Sequence, residues 1–345
     1  MSEQIKRTEL NDLGEFALIE HLTHDFPLQH KSSVKGVGDD AAVINNANFQ
    51  TVVSTDLLVE GIHFDMAYVP LKHLGYKAVV VNLSDIYAMN AQPKQITVSL
   101  AISSRFSVEA LEELYAGIRQ ACDYYKIDLV GGDTTSSLSG LLISVTAVGQ
   151  CEASKLVYRS GAKPGDILCM TGDLGGAYLG LQILEREKQI YLEHPGVQPE
   201  LKGHDYIIGR QLKPEAREDA IEQLAKAELV PTSMIDISDG LASEVLHICK
   251  ASGVGAFVEE GHVMIKQEVF QTALDFRLDP ITCALSGGED YELLFTVKAE
   301  DIEKVRFMND IAIIGEIVDA KDGATLHTKG GNIYPLKAQG WKHFQ

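Results

Sequence analysis

The chain has 345 residues, 45% hydrophobic and 23% charged, with a formal net charge of −19. That length argues for two domains, each with its own core, and the acidic balance excludes nucleic acid as a partner because phosphate backbones demand Lys and Arg clusters. Five widely spaced cysteines with no C-x-x-C, no apolar run of the ~18 residues that a membrane span needs, and the polar start MSEQIKRTEL together predict a cytoplasmic protein without a disulfide framework.

In chain order, Asp12 followed by Glu15 marks a helix start, with Leu13, Phe16, Ile19 and Leu22 on its apolar face. Short β-branched runs at 41–44, 51–54, 96–102 and 141–148 predict strands. Two helices interrupt them. One covers 76–89, with Val79, Leu83 and Ile86 inward and a stop near Pro93. The other starts at Ser107 and carries the stripe Val108, Leu111, Leu114, Ile118, Cys122, Tyr125. The pattern resets near residue 150, and the turn-rich SGAKPGD leads into a strand at 167–171. This divides the chain into an N-terminal domain 1–150 and a C-terminal α/β domain 151–345. In the second half, helices are expected at 177–187 and 241–251, a surface loop at 187–205, and a strand at 291–297 with Tyr291, Leu293, Phe295 and Val297 on one side.

A subset of the acids shares one context, beside glycine or a hydroxyl residue at a predicted strand end or helix start. These are Asp39 and Asp40 in GVGDDAAVI, Asp56 in VVSTDLLVEGIHF, Asp85 in VNLSDIYAMNA, Asp133 in DLVGGDTTS, Asp236 and Asp239 in MIDISDGLASE, and Glu289 and Asp290 in LSGGEDYELLF. They interrupt apolar segments, where an unpaired carboxylate is costly to bury. Asp236 and Asp239 taken alone read as N-caps for the helix near Leu241, and Asp39–Asp40 as a turn. Together, so many Asp-containing loops point to hard-oxygen ligands, and without His or Cys among them to Mg²⁺ rather than zinc.

Three features are set aside. Gly36-Val37-Gly38-Asp39-Asp40-Ala41 fits G-x-G-x-x-A, yet polar QHKSSVK precedes it and β-like AAVI follows, the wrong flanks for a dinucleotide fold. Gly172–Gly176 lies between a strand and a helix; it offers a phosphate cradle, but close helix–strand packing is the preferred reading. His63 by itself reads as a structural histidine. No Walker A or protein-kinase signature set is present.

The blocks GEFALI, GVGDDAAV, VVSTDLLVEGIHF, YKAVVVNLSDIYAM, LVGGDTTS, RSGAKPGD, IDISDGLASE, LSGGEDYEL and GWKHF run from Gly14 to Phe344. In that order they resemble thiamine-monophosphate kinase, of the aminoimidazole ribonucleotide synthetase-like superfamily. The resemblance implies two α/β (α+β) domains, an N-terminal mixed sheet that forms a barrel in a homodimer, and a C-terminal α/β domain that completes the substrate cleft. It implies ATP as co-substrate, Mg²⁺ as cofactor, and thiamine monophosphate as acceptor, converted to thiamine diphosphate in the final step of that biosynthesis. Matched motif by motif, Asp40, Asp56, Asp85, Asp133, Asp236 and Asp239 are expected as metal ligands, assisted by Ser54 or Thr55, with Asp40, Asp85 and Asp239 central to catalysis. Gly132, Asp133, Arg159 and Ser238 are expected to contact ATP, and His63, Glu289 and Trp341 to line the acceptor pocket. Trp341 reads equally as a hydrophobic plug; the resemblance favours the pocket.

Alternatives from the same superfamily lack their marks here. Met1–Gly36 holds no Cys for a selenophosphate synthetase, and the chain ends WKHFQ without the Cys of the hydrogenase-maturation enzyme. Aminoimidazole ribonucleotide synthetase-like chemistry, and a non-catalytic nucleotide or metal sensor, stay open at this point.

Overall fold

The computed structural model describes residues 21–35, 43–44 and 49–338. Among these, the residues up to Ile86 together with Ala91–Ala153 form one unit, and Tyr87–Asn90 with Ser154 onward form a second.

The first unit contains β1 (Ser33–Lys35), β2 (Val43–Ile44), β3 (Gln50–Val59), α1 (Leu71–Ala88), β4 (Gln92–Ser103), α2 (Val108–Tyr125), β5 (Asp128–Ser137) and β6 (Leu141–Cys151). The strands β1 and β2 pair antiparallel. The others form a sheet ordered β3-β6-β4-β5, in which β4 and β5 run parallel across the α2 crossover and the other pairs run antiparallel. Helix α2 forms as its pattern predicts. The Ser107 side chain accepts from the Ala110 N–H, Lys126 closes the helix in the left-handed region at φ 54°, and the expected stripe is buried. Helix α1 instead starts five residues before its predicted position. Its buried positions, Leu74, Tyr76, Val79, Val80, Val81, Leu83, Ile86 and Tyr87, surround the axis, so no polar face marks its beginning.

Glycines set the spacing of the helical layer. A Cβ on Gly75 of α1 would lie 1.9 Å from the Leu114 carbonyl oxygen of α2, and one on Gly117 would lie 1.8 Å from the Lys72 carbonyl oxygen. The two backbones therefore touch with nothing between them. The opposite face of the sheet carries smaller and exposed residues. Leu142, Ser144, Thr146 and Val148 of β6 alternate with buried Leu141, Ile143, Val145 and Ala147, and Val53 and Leu57 of β3 are 61% and 48% exposed.

The second unit follows as β7 (Ile167–Thr171), α3 (Gly176–Glu193), α4 (Asp205–Leu212), α5 (Glu218–Lys226), β8 (Ser233–Ile237), α6 (Leu241–Ser252), β9 (Gly255–Glu259), α7 (Gln267–Asp275), α8 (Pro280–Ser286), β10 (Glu292–Val297), α9 (Ile302–Arg306), β11 (Ile311–Val318), β12 (Ala324–His327) and β13 (Ile333–Pro335). Its sheet is ordered β13-β12-β9-β11-β7-β10-β8, and only β12 and β9 run parallel. Both sheet faces are covered. Leu241, Val245 and Ile248 of α6 pack with Leu168, Met170, Ile235, Ile237 and Leu294. Leu179, Ile183, Ile207, Val269, Ala273 and Cys283 form a second cluster among α3, α4, α7 and α8. Two-sided cover explains why every residue of β10 is buried, where alternation had predicted one inward side.

Helix α3 also corrects an expectation, running on to Glu193 where a loop was expected from 187. Its buried stripe ends at Glu187, so the last turns carry no core signal. Glu187 itself is buried; it pairs with Arg186 and accepts from the Glu200 N–H at 2.8 Å, tying down the following segment.

Candidate active site

In the first unit the informative side chains meet between β3 and α1. Alternation along β3 sends Ser54 and Asp56 to the helix side. The Ser54 hydroxyl donates to Asp85 Oδ2 on α1. The Asp56 backbone N–H donates to Asn82 Oδ1 at 2.9 Å, one turn before Asp85, while Asn82 Nδ2 donates to the Ala78 carbonyl at 3.0 Å. Asn82 is fully buried and spends both halves of its amide aligning strand with helix. Burial first, and the charge of Asp85 second, push the Asp56 carboxyl up to about 6. A carboxyl raised in this way by burial and a neighbouring carboxylate belongs to a set that a cation would relieve.

Thr55 points the other way. It donates to the Val145 carbonyl at 3.0 Å and accepts from the Thr146 hydroxyl on the open face, so of the two hydroxyl candidates Ser54 is the one beside the carboxylates. Gly132 and Asp133 lie on β5, at the far edge of the sheet. Register places Asp56, Val145, Val98 and Gly132 in one row, and Leu57, Ser144, Ser99 and Asp133 in the next. Three strand spacings separate Asp56 from Gly132, about 14 Å. Asp133 is exposed, in the row that belongs to the open face. Gly132 has a structural reason as well: a Cβ there would lie 1.8 Å from the Val98 carbonyl oxygen. His63 sits in the turn after β3, where its Nδ1 accepts from the Val59 N–H at 3.0 Å; a neutral ring then carries its proton on Nε2, as a donor. Asp56 and Asp133 thus lie within strands and not at their ends as expected, because β3 and β5 extend past the apolar runs that announced them, while Asp85 lies on α1 within the helix its pattern predicted.

In the second unit two distant motifs interlock. Asp236 is buried in β8, opposite Leu293 of β10. The Glu289 N–H donates to the Ser238 carbonyl at 2.7 Å, and the Tyr291 N–H to the Ile237 carbonyl at 2.9 Å. Ser238, Asp239 and Glu289 therefore stand on adjoining loops. The capping role considered for the Asp pair is absent, since the N-cap of α6 is Gly240, with no side-chain cap bond. Instead the Asp239 N–H donates to Glu244 Oε1 at 3.1 Å. Burial drives the Glu244 carboxyl up to about 7; the Asp239 charge adds to this, while the Asp239 N–H and the Arg159 charge oppose it. Arg159 itself is exposed.

Beneath the Glu289 loop lies a buried acid–base cluster that no motif announced. Arg210 donates to Glu292 Oε1 at 2.9 Å, to the Asp173 carbonyl at 3.1 Å and to the Asp290 carbonyl at 3.0 Å. Arg217 donates to Glu292 Oε2 at 2.5 Å and to Asp219 at 2.8 Å. The Asp290 carboxylate accepts from the Gly175 N–H at 2.8 Å and the Ala177 N–H at 3.2 Å. Burial pushes it up to about 6, against the pull of Arg210 and these two N–H groups. The N-terminus of α3 is thus occupied by a protein carboxylate, and the glycines before it serve packing. A Cβ on Gly172, at φ 55°, would lie 2.2 Å from the Glu292 carboxylate. Paired charges spaced this far apart in sequence leave no local pattern; the one signal was Asp290 inside SGGED.

Among the described residues no group of three or more His, Cys, Asp or Glu stands ready to hold a metal ion. Asp56 and Asp85 come together with Ser54 in one unit, and Asp236 and Asp239 stand three residues apart in the other. Asp39, Asp40 and Trp341 lie outside the described residues.

Residues 38–151 match the family described as AIR synthase related protein, N-terminal domain, and residues 163–327 match the corresponding C-terminal domain. The chain is 34% identical over 335 residues to thiamine-monophosphate kinase of Aquifex aeolicus (strain VF5), spanning 97% of this chain and 99% of that protein. It superposes on the crystal structure of thiamine-monophosphate kinase from Stenotrophomonas maltophilia K279a with TM-score 0.77 and 32% identity, covering 92% of this chain and 97% of that one. It also superposes on AaThiL complexed with AMPPCP and TMP, with TM-score 0.73 and 32% identity over 99% of this chain and 100% of that one. The chain belongs to the thiamine-monophosphate kinase family of phosphotransferases, built on the two AIR synthase-related domains.

Proposed function

We propose that this protein transfers the γ-phosphoryl group of ATP directly to thiamine monophosphate, giving ADP and thiamine diphosphate. The observation that carries the reading is end-to-end similarity to AaThiL, whose solved structure holds AMPPCP and TMP. Both substrates are anionic, and two unit charges ~4 Å apart repel by about 4 kcal/mol at an effective dielectric near 20.

The mutually repelling pair Asp56–Asp85, oxygen donors next to a hydroxyl, suits a hard divalent cation. Mg²⁺ would be held there by Asp56 and Asp85 beside Ser54; Asp40, Asp236 and Asp239 are carried over by motif as metal ligands, and Asp133, on the open sheet face, as one apart from this pair. When bound it neutralises phosphate oxygens of donor and acceptor. The chain's own groups bind and orient. Arg159 adds positive charge on the ATP phosphates, with Ser238, Gly132 and Asp133 around the nucleotide. His63 Nε2–H, Glu289 and Trp341 address the acceptor. An attacking phosphate oxygen already carries charge at neutral pH, so the residues need not supply a strong general base or a covalent nucleophile.

The open sheet face, with exposed Val53 and Leu57, supports a homodimer in which two such faces close a barrel. Among the described residues no helix is long and apolar enough to cross a membrane; a biosynthetic kinase of this kind belongs in the cytoplasm.

The test is turnover. Purified protein with ATP, Mg²⁺ and thiamine monophosphate should yield thiamine diphosphate and ADP in equal amounts, with chelator abolishing both and no label from γ-phosphate retained on protein. ATP consumption without thiamine diphosphate, or a labelled enzyme that passes phosphate on, would refute the reading.

A further inference from the structure

Ser238 and Asp239 stand immediately before α6, and both residue types are favoured helix N-caps. Neither of them caps. The N-cap is Gly240, which has no side chain to offer, and its φ of 103° and ψ of 148° form a conformation that is essentially glycine's own. A Cβ there would also lie 2.7 Å from the Leu285 carbonyl oxygen, so the turn is pressed against the end of α8.

The turn is secured from inside the helix instead. Glu244 reaches back, and its Oε1 accepts from the Asp239 N–H at 3.1 Å. A capping box works similarly, with a Glu near the helix start bonding the N-cap N–H. Here the bond falls one residue earlier, on Asp239. On the carbonyl side the Glu289 N–H donates to the Ser238 carbonyl at 2.7 Å. The turn is thus fixed through its main chain, and capping consumes neither the Ser238 hydroxyl nor the Asp239 carboxylate.

Glu244 is not placed there for its own stability. It is 2% exposed, and burial and the neighbouring Asp239 charge both work against its ionised form. A buried acid beside another acid is a costly way to fill a helix face. What it supplies is an acceptor at a defined place. The far end of α6 holds the other segment expected at the nucleotide. The Ser252 hydroxyl accepts from the Gly161 N–H at 3.1 Å and the Ala162 N–H at 3.2 Å, and donates to the Arg159 carbonyl at 3.4 Å. About 12 Å of one helix, from Glu244 to Ser252, therefore sets the Arg159 segment against the Ser238–Asp239 turn.

We propose that Glu244 is a positioning residue for phosphoryl transfer: it fixes the Asp239 main chain from within α6, so that the Ser238 and Asp239 side chains serve the nucleotide and its metal and not the helix. This rests on the reading of Asp239 as a metal ligand. The experiment compares wild type, Glu244→Gln, Glu244→Met, Glu244→Ala, Asp239→Asn and the Asp239→Asn/Glu244→Met double variant. Each is assayed in steady state across Mg²⁺ concentration, at saturating ATP, and melted with and without Mg²⁺. An amide oxygen accepts the same N–H, so Glu244→Gln should keep kcat within about threefold of wild type. Glu244→Met orphans the N–H. It should lower kcat about tenfold or more and raise the Mg²⁺ concentration for half-maximal rate by a similar factor, with KM for thiamine monophosphate changed less than about twofold. Glu244→Ala gives the same reading should Glu244→Met fail to fold. The double variant should be no worse than Asp239→Asn alone, because Glu244 acts through Asp239. If Asp239→Asn impairs turnover while Glu244→Met and Glu244→Ala keep the wild-type kcat and Mg²⁺ requirement, the positioning role is overturned and the metal reading stands. A lower melting temperature with no change in Mg²⁺ requirement would make the bond structural only and overturn it equally. If Asp239→Asn turns over normally, the metal reading falls and the proposal with it. A Glu244→Gln enzyme as impaired as Glu244→Met would refute the hydrogen-bond account.

Discussion

Asn82 accepts a hydrogen bond from the backbone N–H of Asp56 at 2.9 Å, so the strand carrying one acidic residue is fixed to the helix carrying the next. Removing Asn82 orphans a buried N–H, at a cost of about 1–3 kcal/mol. Asn82→Ala should lower the melting temperature and reduce kcat by at least tenfold at saturating substrates, with KM for both substrates changed much less. Differential scanning calorimetry with steady-state kinetics checks this. Wild-type kcat in a destabilised variant would show that the bond is structural only.

Asp56 gives a pH prediction with a definite sign. Its folded pKa, about 6, exceeds the ordinary 3.8. The metal-free native state therefore binds this proton more tightly than the unfolded chain, and stability is lost as pH rises from about 4 to about 6. Asp56→Asn should raise the melting temperature of chelator-treated protein at pH 7 and have little effect near pH 4. Apparent Mg²⁺ affinity should also fall below pH 6, as protons compete for the carboxylate. Melting curves in chelator across that range, with Mg²⁺ titrations alongside, test both; an Asp56→Asn protein that is less stable than wild type at pH 7 would contradict the electrostatic account.

The open face of the first unit predicts assembly. Val53 and Leu57 point outward from an otherwise ordered strand. Val53→Lys with Leu57→Glu should leave the fold intact and convert a dimer to monomer in sedimentation at micromolar concentration. An unchanged sedimentation coefficient would place the contact elsewhere.

Local signals were legible wherever one residue and its near neighbours decide the outcome. Ser107 and the stripe from Val108 to Tyr125 specified α2 because cap and core face lie within one helix. The beginning of α1 was not legible, since burial all around Leu74–Tyr87 erases the polar face that marks a start. In the site, the carboxylates announced themselves by interrupting apolar runs, and Asp56 and Asp85 do meet. Ser54 and Thr55 could not be told apart until register showed which face each takes. Arg210 carried no signal at all, because its partners Glu292 and Asp290 come from a segment far along the chain.

Gly75 and Gly117 leave the first unit with no slack. Each is already the smallest residue there is, so a methyl gained at one cannot be offset by a loss at the other. Asp85 sits about 15 Å further along the same helix, at 1.5 Å rise per residue. A stiff rod levered away at Gly75 would swing Asn82 and Asp85 off β3 without any change to the site's own residues. A side chain gained at either glycine is therefore expected to lower turnover as well as stability, although neither glycine is among the site's own residues.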